Sequence, residues 1–384
     1  MPRHALTTLA IAALLATGPL TASASADPVD AIGDLVSSGP LAAAVTPPAA
    51  ADATRIVYRT TGPSDLPALS SGAIYFPAGT PPQGGWPVIA WAHGTTGLTD
   101  ACAYSVGGPV EVDRDWAYLD HWLGQGYAVV ATDYAGPGVG GLLPYLNGKV
   151  EAHNVVDAVK AATRAYSGTL SRNWVVVGQS QGGGAAIITA RYATEFGGPE
   201  LNYLGAVGTG VPAHIEDVLM PLGPHTPPVR LPAHTTEYVL YILSGLRTSY
   251  PDLDIDSYLT DEGRRWVDHA EQVCALPLAD ELTATPVILG DLFAKPLAAL
   301  PDAHDLLTDY LGIPVSGYDR PLFIGQGMTD TDVLVPGTLA TVTAMQANHQ
   351  PLTFHAYPTD HDATVNASLP DSTPFLQQLF ATAH

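Results

Sequence analysis

The chain is short of positive charge, of cysteine and of long apolar runs. Lys and Arg number 15 against 37 Asp and Glu, a formal charge of −22. Nucleic acid, heparin-like polymers and anionic membrane surfaces would be repelled by that charge at long range, whereas neutral substrates would not. No uninterrupted apolar run reaches bilayer-spanning length, which argues against stable membrane insertion. Only Cys102 and Cys274 are present. In an oxidising compartment an even pair reads as one bridge, with two buried free thiols as the alternative. Closing a loop of that length would restrain the unfolded chain by at most ~5 kcal/mol in the entropic account.

Oxidising surroundings are expected from the first residues. Arg3 and His4 precede the apolar stretch Ala5 to Leu15, and small residues lead to Ala24-Ser25-Ala26. That order is the pattern of an export signal over residues 1–26, and the mature protein is expected to be secreted. Residues 27–53 are rich in Ala, Pro and small polar residues without sustained periodicity, and read as an arm along the surface. Strands are expected near 55–59, 72–76, 87–92, 127–132, 174–177 and 203–208. The Tyr127 to Thr132 run is apolar throughout, as in a strand buried on both faces. Val155, Val159, Ala162 and Tyr166 recur at helical spacing and mark a crossover helix. Alternation of this kind predicts an α/β domain with a mostly parallel sheet. Its first part is placed at residues 54–211.

The rhythm breaks over residues 212–318, where prolines punctuate helical stretches such as 237–246 and 263–274. A hundred residues are too many for a loop, so this segment reads as a helical cap inserted over the carboxyl edge of the sheet. The sheet resumes over 319–384 with strands at 321–325 and 352–357, a helix near 338–348 and a closing helix from Pro374.

The motif that organises the chain is Gly178-Gln179-Ser180-Gln181-Gly182, which follows the apolar run Trp174 to Val177 and opens a small-residue helix. A serine held in a sharp strand-to-helix turn needs glycine on either side, and the turn lifts its hydroxyl clear of the sheet. The next backbone N–H, that of Gln181, then lies at a helix N-terminus suited to binding an oxyanion. A serine hydroxyl is a weak nucleophile without a base, and the base needs a carboxylate to orient it. In strand-turn-helix elbows the chain order is Ser, acid, His. Asp330, in Gly327-Met328-Thr329-Asp330, and His361, after the strand ending at Tyr357, satisfy that order. Asp332 is the alternative acid. His355 lies within an expected strand and reads as an inert imidazole. The second oxyanion donor is expected at Thr95, in His93-Gly94-Thr95-Thr96-Gly97 after an early strand, with His93 fixing the loop.

Two motifs lead nowhere. Gly136 to Gly141 matches G-x-G-x-x-G, but Pro144 stands where the helix of a dinucleotide site should run. Asp252, Asp254 and Asp256 imitate a calcium loop without its glycine and its terminal glutamate. Neither metal nor organic cofactor is expected.

Taken together, the His-Gly loop with Cys102 behind it, the elbow at Ser180, the turn to Asp330 and His361 resemble the secretory lipase family. The resemblance implies an α/β-hydrolase fold with an inserted helical cap, and a carboxylic-ester hydrolase acting on acylglycerols or related lipophilic esters. It also implies that Cys102 pairs with Cys274. Acyl transfer or cleavage of polymeric esters on the same site are alternatives, and a non-catalytic binding protein on this fold is the alternative of another class.

Overall fold

A computed structural model of the chain describes Met1 and residues 31–383. The expected export signal lies outside the described residues apart from Met1. Among the described residues nine strands form one sheet: β1 Leu35–Pro40, β2 Asp52–Thr61, β3 Pro67–Phe76, β4 Trp86–Ala92, β5 Ala128–Ala135, β6 Leu170–Gln179, β7 Asn202–Thr209, β8 Leu322–Gly327 and β9 Leu352–Tyr357. Their order across the sheet is β1-β2-β3-β5-β4-β6-β7-β8-β9. The β1, β2, β3 and β5 neighbours pair antiparallel, and every pairing from β5 through β4 to β9 is parallel.

The helices are α1 Tyr104–Gly107, α2 Val112–Leu123, α3 Gly148–Ala165, α4 Gln181–Gly197, α5 Ile215–Leu219, α6 Ala233–Ser249, α7 Asp261–Ala270, α8 Ala275–Ala284, α9 Ala303–Leu311, α10 Val335–Ala347, α11 Ala363–Ala367 and α12 Leu369–Ala381. They account for the unbroken apolar runs. In β6, Trp174 and Val176 pack into a layer with Val155, Val159 and Ile187 of α3 and α4. Val175 and Val177 point the other way, into a layer with Leu119, Trp122 and Leu376 of α2 and α12. Alternate side chains therefore enter two separate cores, and neither face of the strand calls for polar residues. Each such valine or isoleucine contributes about 1.5–3 kcal/mol by leaving water.

Two expectations need correction. The segment expected as a surface arm, in part helical, has a 3₁₀ turn at Ala43–Val45 but also contains β1, paired antiparallel to β2 with Ser38 opposite Ile56. Most of β1 is exposed, so it is held by backbone pairing on a sheet edge and shows no hydrophobic alternation. The closing helix starts at Leu369, before Pro374. Pro370 occupies the first turn, where a missing N–H costs nothing, and Pro374 is carried inside the helix.

Between β7 and β8 the described residues form helices α5 to α9 and short 3₁₀ turns, with a lone bridge between Leu259 and Phe293. The longest, α6, buries Leu240, Leu243 and Leu246.

Candidate active site

Ser180 is the single residue between β6 and α4, and it holds φ 59° and ψ −125°. A side chain in that region is strained, and the surrounding glycines explain why it can persist. A methyl group at Gly178 would run into the Gly182 carbonyl, and one at Gly182 into the Ala92 carbonyl. The close approach of β6, α4 and β4 at this turn is therefore possible only with glycine on both sides. The Ser180 N–H donates to the Thr209 carbonyl at 3.0 Å, and its own carbonyl accepts from the Gly184 N–H.

His361 follows β9, and its ring is buried. Its Nδ1 lies 2.7 Å from Asp330 Oδ2. Asp330 is held firmly in turn. Its Oδ1 accepts from the backbone N–H of Asp332 at 2.9 Å and of Val333 at 2.8 Å, and Oδ2 also accepts from Gln326 Nε2 at 3.1 Å. Donors on both oxygens fix the carboxylate plane and keep its charge compensated in a buried place. Gln179 Nε2 donates to the His361 carbonyl at 2.8 Å, which ties the histidine turn to the end of β6. His361 Nε2 is buried and has no hydrogen-bond partner. His361 lines the same cavity as Ser180.

Asp332 has another partner. Its Oδ1 lies 3.0 Å from His234 Nε2 on α6, close enough for an ion pair but off the line of a hydrogen bond. Although burial works against charge, His234 and His361 hold the Asp332 carboxyl below its ordinary range. His355 stacks on Phe323 and lies 3.4 Å from Asp371. The buried His93 puts Nδ1 2.7 Å from the Gly94 carbonyl and stacks on Tyr104.

Gly94 packs against the serine: a methyl there would lie 3.6 Å from Ser180 Cβ. The neighbouring Thr95 has its hydroxyl 2.6 Å from the Tyr145 hydroxyl. Gln181, the first residue of α4, donates its side-chain amide to Glu151 Oε1 at 2.7 Å. Cys102 and Cys274 are bonded, with 5.4 Å between their Cα atoms, and the Ala275 N–H donates to the Thr96 carbonyl. The start of α8 is thus fastened to the loop that carries Gly94 and Thr95.

Two cavities meet at Ser180. One, of about 250 Å³, is lined by His361, Thr95, Glu111, Arg114, Glu237 and Asp362 among others. The other, of about 310 Å³, is lined by Gln181 and by aliphatic side chains that include Leu219, Val239, Ile242 and Val333. Helix α6 builds a wall of each. Thr235, Val239 and Ile242, at spacings of four and three, face the apolar cavity, while His234 and Glu237, three apart, face the polar one. Tyr238 lies between these stripes and touches both cavities. Gln179, Gln326, Tyr145 and Glu237 were not among the expected site residues. Gln179, Gln326 and Glu237 share one signal, a polar side chain inside an otherwise apolar strand or helix, whereas Tyr145 lies in the turn before α3.

Residues 106–292 match the model of the secretory lipase family. The match includes Ser180 and ends before Asp330. A secreted triacylglycerol lipase of Malassezia restricta is 26% identical over 181 residues, 45% of this chain and 35% of that protein. One from Malassezia furfur is 27% identical over 41% of this chain and 31% of its own length. The chain thus spans about a third of the curated relatives it matches. Candida antarctica lipase A superposes with a TM-score of 0.74 at 20% identity, covering 92% of this chain and 83% of that one. The rice cell wall degrading esterase LipA from Xanthomonas oryzae gives 0.70 at 20% identity, over 92% and 100%. Both likenesses show the fold, which is that of the α/β-hydrolases. Among the described residues no helix is long and apolar enough to cross a membrane.

Proposed function

We propose that this chain, secretory lipase sequence over residues 106–292 on an α/β-hydrolase fold, is a secreted serine hydrolase of lipophilic carboxylic esters. The observation that carries the reading is the state of His361. One ring nitrogen lies 2.7 Å from a carboxylate bonded through both oxygens, the other is buried without a partner, and His361 lines the cavity that Ser180 also lines.

In this reading Nε2 of His361 takes the Ser180 proton as Oγ attacks the ester carbonyl, and Asp330 stabilises the imidazolium. The backbone N–H groups of Gln181 and Thr95 bind the oxyanion of the tetrahedral intermediate. Collapse breaks the bond to the alcohol, which leaves with the proton from His361. Water then attacks the acyl-serine with the same histidine as base, and the acid departs. The apolar cavity takes the acyl chain, and residues 212–318 act as the cap that shapes it. Residues 1–26 serve as the export signal, in keeping with curated relatives that are secreted lipases.

A fluorophosphonate probe should label the folded wild-type protein at Ser180. A p-nitrophenyl ester series from acetate to palmitate should be hydrolysed by wild type and left intact by Ser180→Ala. Absence of both labelling and turnover would overturn the reading.

A further inference from the structure

Glu237 is a carboxyl that the proposed mechanism does not use. It stands on α6, is 3% exposed, and its Oε1 has no hydrogen-bond partner. Burying such a group without a partner is costly, and replacing it by an apolar side chain removes the cost. It nevertheless occupies the wall of the cavity that Ser180 and His361 share.

The two cavities differ in which catalytic group they contain. His361 lines the polar cavity and is not part of the apolar one. The histidine must hand its proton to the departing alcohol, so the alcohol moiety belongs on the side of the imidazole. The acyl chain is left with the aliphatic cavity. Glu237 therefore faces the alcohol.

We propose that Glu237 is a specificity-determining residue of an alcohol subsite that selects esters whose alcohol carries free hydroxyl groups, such as partially acylated polyols. The proposal rests on the serine-hydrolase reading of the same site. A protonated carboxyl offers one donor and an acceptor, which is the complement of a hydroxyl. Burial raises the Glu237 carboxyl to about 8, so the neutral form prevails at neutral pH. Other charged groups on the cavity wall narrow the class further. Glu111, Asp332 and Asp362 are acidic, Arg114 is engaged by Asp115 and Asp362 at 2.8 and 2.6 Å, and His234 lies 3.0 Å from Asp332. With both cations paired, phosphate-bearing alcohols would be repelled by the carboxylates, whereas neutral polyols would not.

The test compares two butyrate esters of one skeleton, glyceryl monobutyrate and propyl butyrate, by the ratio of their kcat/KM values. Wild type should favour the glyceryl ester by about 10-fold or more, because a site built for a hydroxyl leaves its own polar group unpaired with the analogue. Glu237→Leu and Glu237→Met should each lower that ratio by about 10-fold, and Glu237→Gln, which keeps a donor and an acceptor, should hold it within about 3-fold. A wild-type ratio near one would overturn the proposal. So would a ratio that stays within about 2-fold of wild type in either apolar variant, or one that falls equally in Glu237→Gln. Failure of the underlying reading looks different: neither ester turns over, Ser180 takes no fluorophosphonate, and the subsite falls with it.

Discussion

The two cavities at Ser180 are similar in size and differ in lining, one largely aliphatic and the other mixing ionisable groups with apolar ones, and one helix supplies a wall to each. Thr235, Val239 and Ile242 give the first an aliphatic lining. His234 and Glu237, a fraction of a turn away on α6, give the second ionisable groups. An amphipathic helix ordinarily sets core against water. Here the two stripes are set against two compartments of one site, divided by Tyr238. What the difference teaches is how one helix can present two kinds of lining to one serine. On the proposed reading, acyl carbons would gain by leaving water in one cavity, and hydroxyls would find partners in the other.

The strongest way to break the comparison is to remove the point where the cavities join. Ser180→Ala should lower kcat on every ester, whichever half is varied, on the order of a millionfold. If only one ester class were lost, the cavities would belong to separate sites. The next largest effect separates the neighbouring acids. Asp330 lines neither cavity, while Asp332 lines both. Asp330→Asn should reduce kcat by about 10⁴-fold with little change in KM, because the imidazole loses its orienting carboxylate. Asp332→Asn loses only a half-exposed pairing with His234 and should cost about 5-fold or less. Steady-state kinetics on p-nitrophenyl butyrate would reveal a reversed order and so a misassigned acid.

Legibility in the sequence followed backbone constraint. The elbow could be read because a positive-φ serine demands glycine at Gly178 and Gly182 and an apolar strand before them. Asp330 and His361 could be placed by order after strands, yet which of Asp330 and Asp332 meets the His361 ring could be seen only in the folded chain. Both stand in one turn, and what separates them is that the turn's N–H groups close on the first. The edge strand β1 was illegible because it is held by pairing rather than burial. Helix α2 escaped notice as well: its buried face is built from Tyr118, Leu119 and Trp122 with Asp115 among them, which blurs the apolar stripe. The division of α6 into two stripes was out of reach for another reason. Periodicity reports which residues share a face, but not what lies opposite that face.

A smaller effect sharpens the comparison from the aliphatic side. Thr235 is partly exposed and touches only the apolar cavity. Thr235→Phe should shorten the space for acyl carbons and lower the decanoate-to-butyrate ratio of kcat/KM by about 10–100-fold, since each excluded methylene carries roughly a tenfold penalty or more. The glyceryl-to-propyl preference should not follow it. Measured on the same protein preparation, coupled movement of the two ratios would mean that the cavities act as one.

The smallest effect concerns stability, and it contrasts the carboxyl in the polar cavity with one sealed beneath the site. Burial raises both Glu237 and Glu151 from the ordinary 4.5 to about 8. Glu151 has Gln181 Nε2 and the Leu146 backbone as partners that favour its charged form, whereas Glu237 has burial alone acting on it. Between about pH 4.5 and 8 the folded protein keeps a proton on Glu237 that the unfolded chain has released, so stability falls as pH rises through that window. Glu237→Gln removes this dependence. Its unfolding free energy should match wild type near pH 4.5 and exceed it by a margin that grows toward pH 8. Glu151→Gln should gain less, because the new amide brings an N–H donor into a place that already receives hydrogen bonds from Gln181 Nε2 and the Leu146 backbone. Denaturant titrations of the three proteins at the two pH values would decide it. A Glu237→Gln curve parallel to wild type would mean that the carboxyl is already ionised, and that the wall of the polar cavity carries a charge rather than a donor.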